Sequence, residues 1–352
     1  MNEAQTTVLL VNLGTPDSPH PKDVYRYLVE FLTDGRVVDI PWLTRQLLVR
    51  GIIIPSRYKQ SAKSYQQIWT EEGSPLMVYG KRVQKALQKK LGDQFKVELA
   101  MRYQNPSLEK TLNTILSTPL RHLIILPLFP QYASASTGSV HQKVMEVLLK
   151  RPTFPKLTFI DSYPDHPAVV KAFCEVAKKN DIEKYDHYIF SFHGLPQRQV
   201  LKADKFNHCL KVENCCQKPC QNNADCYSAQ CYLTYQAIAK QLNLPSERTS
   251  IAFQSRLGKD PWIEPFTPHI IEKLAKEGKK NILIFCPSFV CDCLETIFEI
   301  GVEYAEEFKQ WGGNRLDLVQ GLNDEPIWIE ALQELVLDHC KFFNSCNLQM
   351  SI

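Results

Sequence analysis

His193 stands at the end of an apolar run, YIFSFHGLP (Tyr188–Pro196), that closes in a Gly-x-Pro turn. The chain carries an earlier run of the same form, LLVNLGTP (Leu9–Pro16), in which Leu13 takes the histidine's place. Imidazole at that position can serve as a general base near neutral pH or as a ligand for a borderline divalent metal such as ferrous iron. The competing reading is a core histidine with its hydrogen bonds satisfied. A second chemical signal lies in PSFVCDCLETIFEI, where a helix starting near Asp292 would stack Asp292, Glu295 and Glu299 on one face at i, i+3 and i+7. Asp-x-x-Glu also resembles a capping box, which would account for Asp292 but poorly for Glu299, two turns in. A histidine facing carboxylates supports metal binding, proton transfer, or both. A third signal is CLKVENCCQKPCQNNADCYSAQC (Cys209–Cys231), with six cysteines in 23 residues. Clustered thiolates in a reducing compartment hold soft metal centres, and four complete either a zinc site or a [2Fe–2S] cluster.

These groups need elements to carry them. Gly-x-Pro after an apolar run reads as a buried parallel strand leaving its sheet through a tight turn, so His193 falls at a strand's carboxyl end, the edge that faces the ligand crevice in open α/β sheets. The first half continues with strands in VELAMRYQNP (97–106) and HLIILPLFPQ (122–131), the second with TSIAFQSRLGKDP (249–261) and NILIFCPSFVCD (281–292). The middle strand of each set is read as ending in an arginine, Arg102 and Arg256. Helical stretches alternate with them at 81–91, 108–116, 168–178, 227–242 and 267–276. This alternation, written twice, predicts two similar doubly wound parallel-sheet α/β domains with a cleft between them. The expected division is 1–160, 161–323 with the cysteine-rich insertion at 204–231, and a C-terminal segment 324–352 whose helix crosses back over the first half. Neither G-x-G-x-x-G nor G-x-x-x-x-G-K-[ST] occurs, which disfavours the nucleotide-binding modes those loops serve.

At 352 residues and 44% hydrophobic content the chain is long enough for two cores. A net charge of +3, with no basic run interleaved with aromatics, argues against nucleic acid as a partner. The first residues hold an acid and too short an apolar run for a secretory signal or a membrane span, so a soluble cytoplasmic protein is expected. Twelve cysteines in that setting favour metal or catalytic thiols over disulfides.

The first half's strand ends offer a different lining: Leu13, Arg102, Tyr103, Phe129 and Tyr132, followed by the small-residue run ASASTGS (133–139), with EEGSPL (71–76) before a helix. Apolar and aromatic groups with a few donors describe a pocket for a large flat ligand bearing peripheral anions. Arg57 and Arg102 would meet those anions, or would pair with neighbouring acids.

LLVNLGTP, GSPLMVYGKR, MRYQNP, LPLFPQYASASTG, SFHGLP, FQSRLGKDPWIEP and CDCLETIFEI, in this order over nearly the whole chain, resemble the ferrochelatase family. The resemblance implies two α/β domains clamping a porphyrin, with ferrous iron and protoporphyrin IX as substrates. It implies catalytic roles for His193, Glu295 and Glu299, metal contact through His193 and Glu295, and a macrocycle site formed by Leu13, Arg57, Ser74, Arg102 and Tyr103, to which the strand-end reading adds Tyr132. Two departures matter. Cys293 replaces a histidine that many members have before the glutamate pair. Leu13 replaces a tyrosine of coproporphyrin-using members, which favours protoporphyrin IX over coproporphyrin III. Several members hold a [2Fe–2S] cluster, so the resemblance tips the cysteine insertion toward iron–sulfur, with Cys209, Cys216, Cys220 and Cys226 as expected ligands and Cys231 as a substitute. Where other members place a cluster cysteine in the QYASAS segment this chain has Ser134, leaving Cys340 and Cys346 near its end.

Two other classes remain as rivals. A two-lobed haem or metal carrier would have the same fold without need of the acidic face, and a metal-dependent hydrolase would want more histidine or carboxylate ligands. The apolar stretch Leu43–Ile54 is read either as a lip making weak contact with a membrane surface or as a helix packed in the first domain.

Overall fold

The computed structural model describes residues 5–258 and 260–341. Cys346 and the end of the C-terminal segment lie outside them.

Two four-stranded, wholly parallel sheets form the frame. The first holds β1 (Gln5–Gly14), β2 (Phe95–Tyr103), β3 (Leu120–Pro127) and β4 (Lys156–Phe159), in the order β2-β1-β3-β4. The second holds β5 (His187–His193), β6 (Thr249–Gln254), β7 (Asn281–Phe285) and β8 (Arg315–Leu318), in the order β6-β5-β7-β8. The orders are the same when β1 is matched to β5, as the repeated Gly-x-Pro runs predict. The fourth strand of each sheet is a four-residue edge strand, too short to stand out as an apolar run in the sequence.

Side-chain alternation explains how the sheets are covered. Val8 and Leu10 of β1 join Phe190 and Phe192 of β5 in one continuous core that spans both halves. Leu9 and Val11, on the opposite face of β1, pack under helices Leu108–Ile115 and Ser139–Leu148. Ile189, Ile282 and Ile284 do the same under helix Thr267–Lys276. Strands apolar on both faces are what a sheet buried between two layers requires.

The C-terminal helix Pro326–Lys341 packs on Pro167–Ala177 as well as on Pro75–Leu91. It therefore bridges the two halves instead of crossing over the first alone, and Trp328 and Leu332 lie in the shared core.

Both Gly-x-Pro turns need their glycine. A Cβ on Gly14, whose φ is +122°, would meet the Tyr103 carbonyl oxygen at 2.0 Å, and one on Gly194 would meet the Gln254 carbonyl at 2.9 Å. Each first strand thus turns hard against its neighbour, and the side chain before the glycine projects at the sheet edge.

Candidate active site

A cavity of about 630 Å³ opens between the two carboxyl-end edges. Leu13, Phe31, Ser74 and Leu76 line it from the first half, His193, Phe289 and Glu295 from the second. His193 ends β5, and its Nδ1 lies 2.7 Å from the Gly194 carbonyl oxygen. A carbonyl only accepts, so Nδ1 carries the proton and Nε2 keeps its lone pair for a proton or a metal.

Glu295 belongs to a helix of π type, Leu294–Tyr304, capped by Cys293. Asp292 precedes that helix and is not part of its face. Its carboxylate accepts from Gly321 N at 3.0 Å, Asn323 Nδ2 at 2.7 Å and Thr296 Oγ1 at 3.1 Å, so it pins the entering loop. The expected stripe of three carboxylates on an α-helix is therefore corrected to two, Glu295 and Glu299, on a wider helix of the kind often found at functional sites. The reciprocal cap joins Cys293 to Thr296, not Asp292 to Glu295.

Glu299 does not reach the cavity wall. It stands behind Glu295, where its carboxylate accepts from Ser255 N at 3.0 Å, Ser255 Oγ at 2.7 Å and Tyr304 Oη at 2.9 Å. Burial pushes its pKa above the ordinary glutamate value, against the pull of the Ser255 and Tyr304 bonds. Cys293, in the place of a histidine, is buried, which pushes its thiol up, and that thiol is hydrogen-bonded to Glu295. It orients the carboxylate as a neutral donor.

Of the six residues expected to meet the macrocycle, Leu13, Arg57 and Ser74 line the cavity, Arg57 exposed at its rim. Arg102, Tyr103 and Tyr132 do not. Arg102 donates to Asp34 Oδ2 at 2.6 Å and to Ser139 Oγ at 2.7 Å, and Tyr103 Oη donates to the same Asp34 oxygen at 2.9 Å. This is the pairing of an arginine with a neighbouring acid, and it turns both side chains away from the cleft. The Tyr132 ring lies against His141 while its backbone N–H donates to Gln230 Oε1 at 2.7 Å. Arg256 is likewise not the counterpart of Arg102. It lies beyond β6 with its guanidinium over the Phe266 ring, and the true match is between Gln104 and Ser255, each just past its strand with φ near +65° (65° and 64°).

Several lining residues were not among the expected site residues, although Ser255 falls within FQSRLGKDPWIEP. Ser255 and Tyr227 reach the cavity only because the turn after β6 and the helix after the insertion end there. Arg198, also on the wall, is bound to Asp39 at 2.7 Å and to Asp260, so one guanidinium ties loops from both halves together. Its position after SFHGLP was the available signal.

In the insertion, the thiols of Cys209 and Cys216 are hydrogen-bonded to Cys226, and Cys215 Sγ is 3.5 Å from Cys216 Sγ. The Cys216 thiol beside it, more than any other neighbour, holds Cys226 below the ordinary thiol range despite burial. Cys220 stands apart from this group: it is exposed and its sulfur faces His208 Nε2 at 3.9 Å. Of the four expected ligands Cys209, Cys216 and Cys226 therefore gather, with Cys215 beside them, and Cys220 does not. Cys231 is buried in its helix, in contact with Tyr227.

The family model described as ferrochelatase matches residues 5–340. The ferrochelatase of Coxiella burnetii (strain CbuK_Q154) is 40% identical over 343 residues, covering 97% of this chain and 96% of its own length. That of Pseudomonas syringae pv. tomato is 43% identical over 329 residues, 93% of this chain and 96% of its own. The chain belongs to the ferrochelatase family. The ferrochelatase frame of two parallel sheets also appears in a solved structure of the sirohydrochlorin chelatase SirB from Bacillus subtilis subspecies spizizenii, in complex with cobalt. There the TM-score is 0.53 at 10% identity, with 96% of each chain covered. That likeness extends the fold, not the substrate.

Proposed function

We propose that this ferrochelatase, an iron-inserting lyase, takes protoporphyrin IX as its porphyrin and places its ring in the cavity between the halves, with His193 and Glu295 on the face where ferrous iron enters. The single observation that carries the reading is the convergence of His193 Nε2 and the Glu295 helix on a cavity whose other wall is apolar. Insertion must remove two pyrrole protons and present nitrogen lone pairs to an ion arriving along the ring axis. His193, with Nε2 unprotonated, accepts a proton; Glu295 draws in the dication; Glu299, behind it, takes charge onward toward Ser255 and Tyr304. A site that holds the ring off planarity turns binding energy at ring face and propionates into rate. Arg57 at the rim suits the propionates.

Leu13 supports protoporphyrin over coproporphyrin. Coproporphyrin carries two propionates where protoporphyrin has vinyls, and an unpaired carboxylate against a leucine wall costs several kcal/mol or forces its neutralisation, on the order of the penalty for burying an unpaired charge. Mixing protein, ferrous iron and each porphyrin without oxygen tests this directly. The protohaem spectrum should form at least tenfold faster than the coproporphyrin product, and the reverse order would refute the substrate choice.

For the insertion, we propose a [2Fe–2S] cluster held by Cys209, Cys215, Cys216 and Cys226. The gathering of the Cys209, Cys215 and Cys216 thiols about Cys226 supports it, since soft thiolate donors suit iron–sulfur clusters. The cluster, when bound, would supply a covalent cross-link and a redox-active centre beside the cleft. Anaerobically purified protein should show charge-transfer bands. Stoichiometric zinc without those bands would refute iron–sulfur.

We also propose that the two lobes divide at residues 160 and 323, and that the rim makes a weak contact with bilayer surfaces. Among the described residues no helix is long and apolar enough to cross a membrane. Helix Trp42–Leu48, however, buries none of its residues; Trp42, Leu43 and Leu47 stand exposed on it, and Leu48 and the exposed Ile52 that follow line the cavity.

A further inference from the structure

His193's backbone is held at both ends by side chains of other elements. Its N–H donates to Ser288 Oγ at 3.2 Å, and its carbonyl accepts from Tyr227 Oη at 2.7 Å. Ser288 and Tyr227 thus grip the same backbone from its two ends. The imidazole's own anchor, Nδ1 to the Gly194 carbonyl, belongs to the same turn, so the pose of Nε2 follows the pose of this backbone. Ser288 comes from the turn after β7, within the catalytic half's own strand ends. Tyr227 does not. It is the first residue of helix Tyr227–Gln241, and its N-cap is Cys226.

Cys226 is the sulfur on which the insertion converges. The thiols of Cys209 and Cys216 stand against it, and it is the residue that caps helix Tyr227–Gln241. The same helix reaches the first half, where Gln230 Oε1 accepts from Tyr132 N and Thr234 Oγ1 accepts from Gln131 Nε2 at 2.8 Å. The start of this helix is therefore fixed by three attachments: sulfur on one side, the opposite lobe on another, and the catalytic turn on the third.

We propose that Tyr227 is the positioning residue through which the cysteine site sets the pose of His193. Tyr227 spans one residue from the sulfur to the His193 carbonyl, so a change at Cys226 shifts the helix start and with it the hydrogen bond that holds the catalytic turn. The insertion then governs the rate of metal insertion without touching the porphyrin. The part of this that involves a bound centre rests on the iron–sulfur reading above; the Tyr227 contact with His193 does not.

The test uses the full chain, purified without oxygen, as wild type, Tyr227→Phe, Cys226→Ser and the double variant. Each is measured for single-turnover insertion of ferrous iron, for the KM of protoporphyrin, for visible absorption, and for hydrogen exchange at the amides of residues 193 and 194. Tyr227→Phe keeps the ring and removes one hydrogen bond. It should slow insertion roughly tenfold, the loss expected from one bond acting on the pose of a catalytic base. Its KM should stay within about twofold of wild type, its visible spectrum should be unchanged, and exchange at residues 193 and 194 should speed up, because the bond acts on pose and not on ring binding. Cys226→Ser should lose the spectrum and show the same slowing and the same exchange. The double variant should be no worse than Cys226→Ser, since residues acting through one contact are not additive. Wild-type insertion and exchange in Tyr227→Phe would overturn the proposal, and so would losses that multiply in the double variant. Wild-type protein with neither charge-transfer bands nor bound metal would overturn the iron–sulfur reading alone, and the exchange data would still decide the role of Tyr227.

Discussion

At the scale of residues, the decisive contrast is between Leu13 and His193, side chains at corresponding strand ends with opposite chemistry. The placing of His193 at the cavity is readable from the sequence, because a titratable group at the mouth of an apolar strand has little packing to do, and Glu295 meets the same cavity from a helix. Asp292 is not readable in the same way. A carboxylate three residues before another looks like part of one helical face, and only the contacts from Gly321 and Asn323, some thirty residues on, show that it serves the loop. Arg102 misleads for a similar reason, since its acid partner, Asp34, lies 68 positions away. Glu299 yields a prediction at this scale. Burial raises its pKa, so it protonates at a higher pH than a free glutamate with a value of 4.5, and it can no longer accept a proton below that point. Insertion by the wild type should therefore fall on an acid limb lying above pH 4.5. Glu299→Gln should lower the plateau tenfold or more, within the usual range for a lost proton-transfer group, and should remove that limb. An unchanged profile would take Glu299 out of the relay.

Elements decide where these residues point. Six of the eight strands are apolar enough to be found by eye, and their order follows from the duplication. The edge strands β4 and β8 are not found, because four residues carry too little pattern. Nor is the π geometry of Leu294–Tyr304, since no residue type signals i to i+5 bonding. Another element-level feature is the loop carrying Asp34, which is tied to β2 and to helix Ser139–Leu148 through Arg102, Tyr103 and Ser139. Burial pushes the Asp34 carboxyl up, but bonds from Ser139, Arg36 N and Tyr103, with the Arg102 charge, hold it below its ordinary value. A depressed folded-state pKa contributes stability that is present above the unfolded value of 3.8 and is lost as pH falls through the folded one. Asp34→Asn should thus cost roughly 3 kcal/mol near neutral pH by leaving the Arg102 charge without its partner. In denaturant titrations the gap from wild type should close as pH drops below 3.8. A gap that stays constant in acid would show that the carboxylate's charge is not what holds this loop.

On the scale of the whole molecule, two similar halves line one cavity, His193 and Glu295 entering it from the second, while Arg198 and the C-terminal helix make contacts that join them. Trp42 at 66% and Leu47 at 67% exposure lie on the helix that leads into the cavity-lining Leu48, a placement that suits delivery of an apolar ring from a bilayer. Vesicles of neutral lipid should sediment with the wild type and release the double variant Trp42→Ser, Leu47→Ser, whose turnover with detergent-dispersed porphyrin stays unchanged. Equal sedimentation of the two would remove the lip from that role. The central claim, that His193 takes the pyrrole proton in a cavity built from both halves, is tested most directly by His193→Ala. Single-turnover mixing with ferrous iron under anaerobic conditions should give no protohaem absorption from this variant, while fluorescence titration shows protoporphyrin bound with an affinity within a few-fold of wild type. Protohaem formation at the wild-type rate would contradict the account.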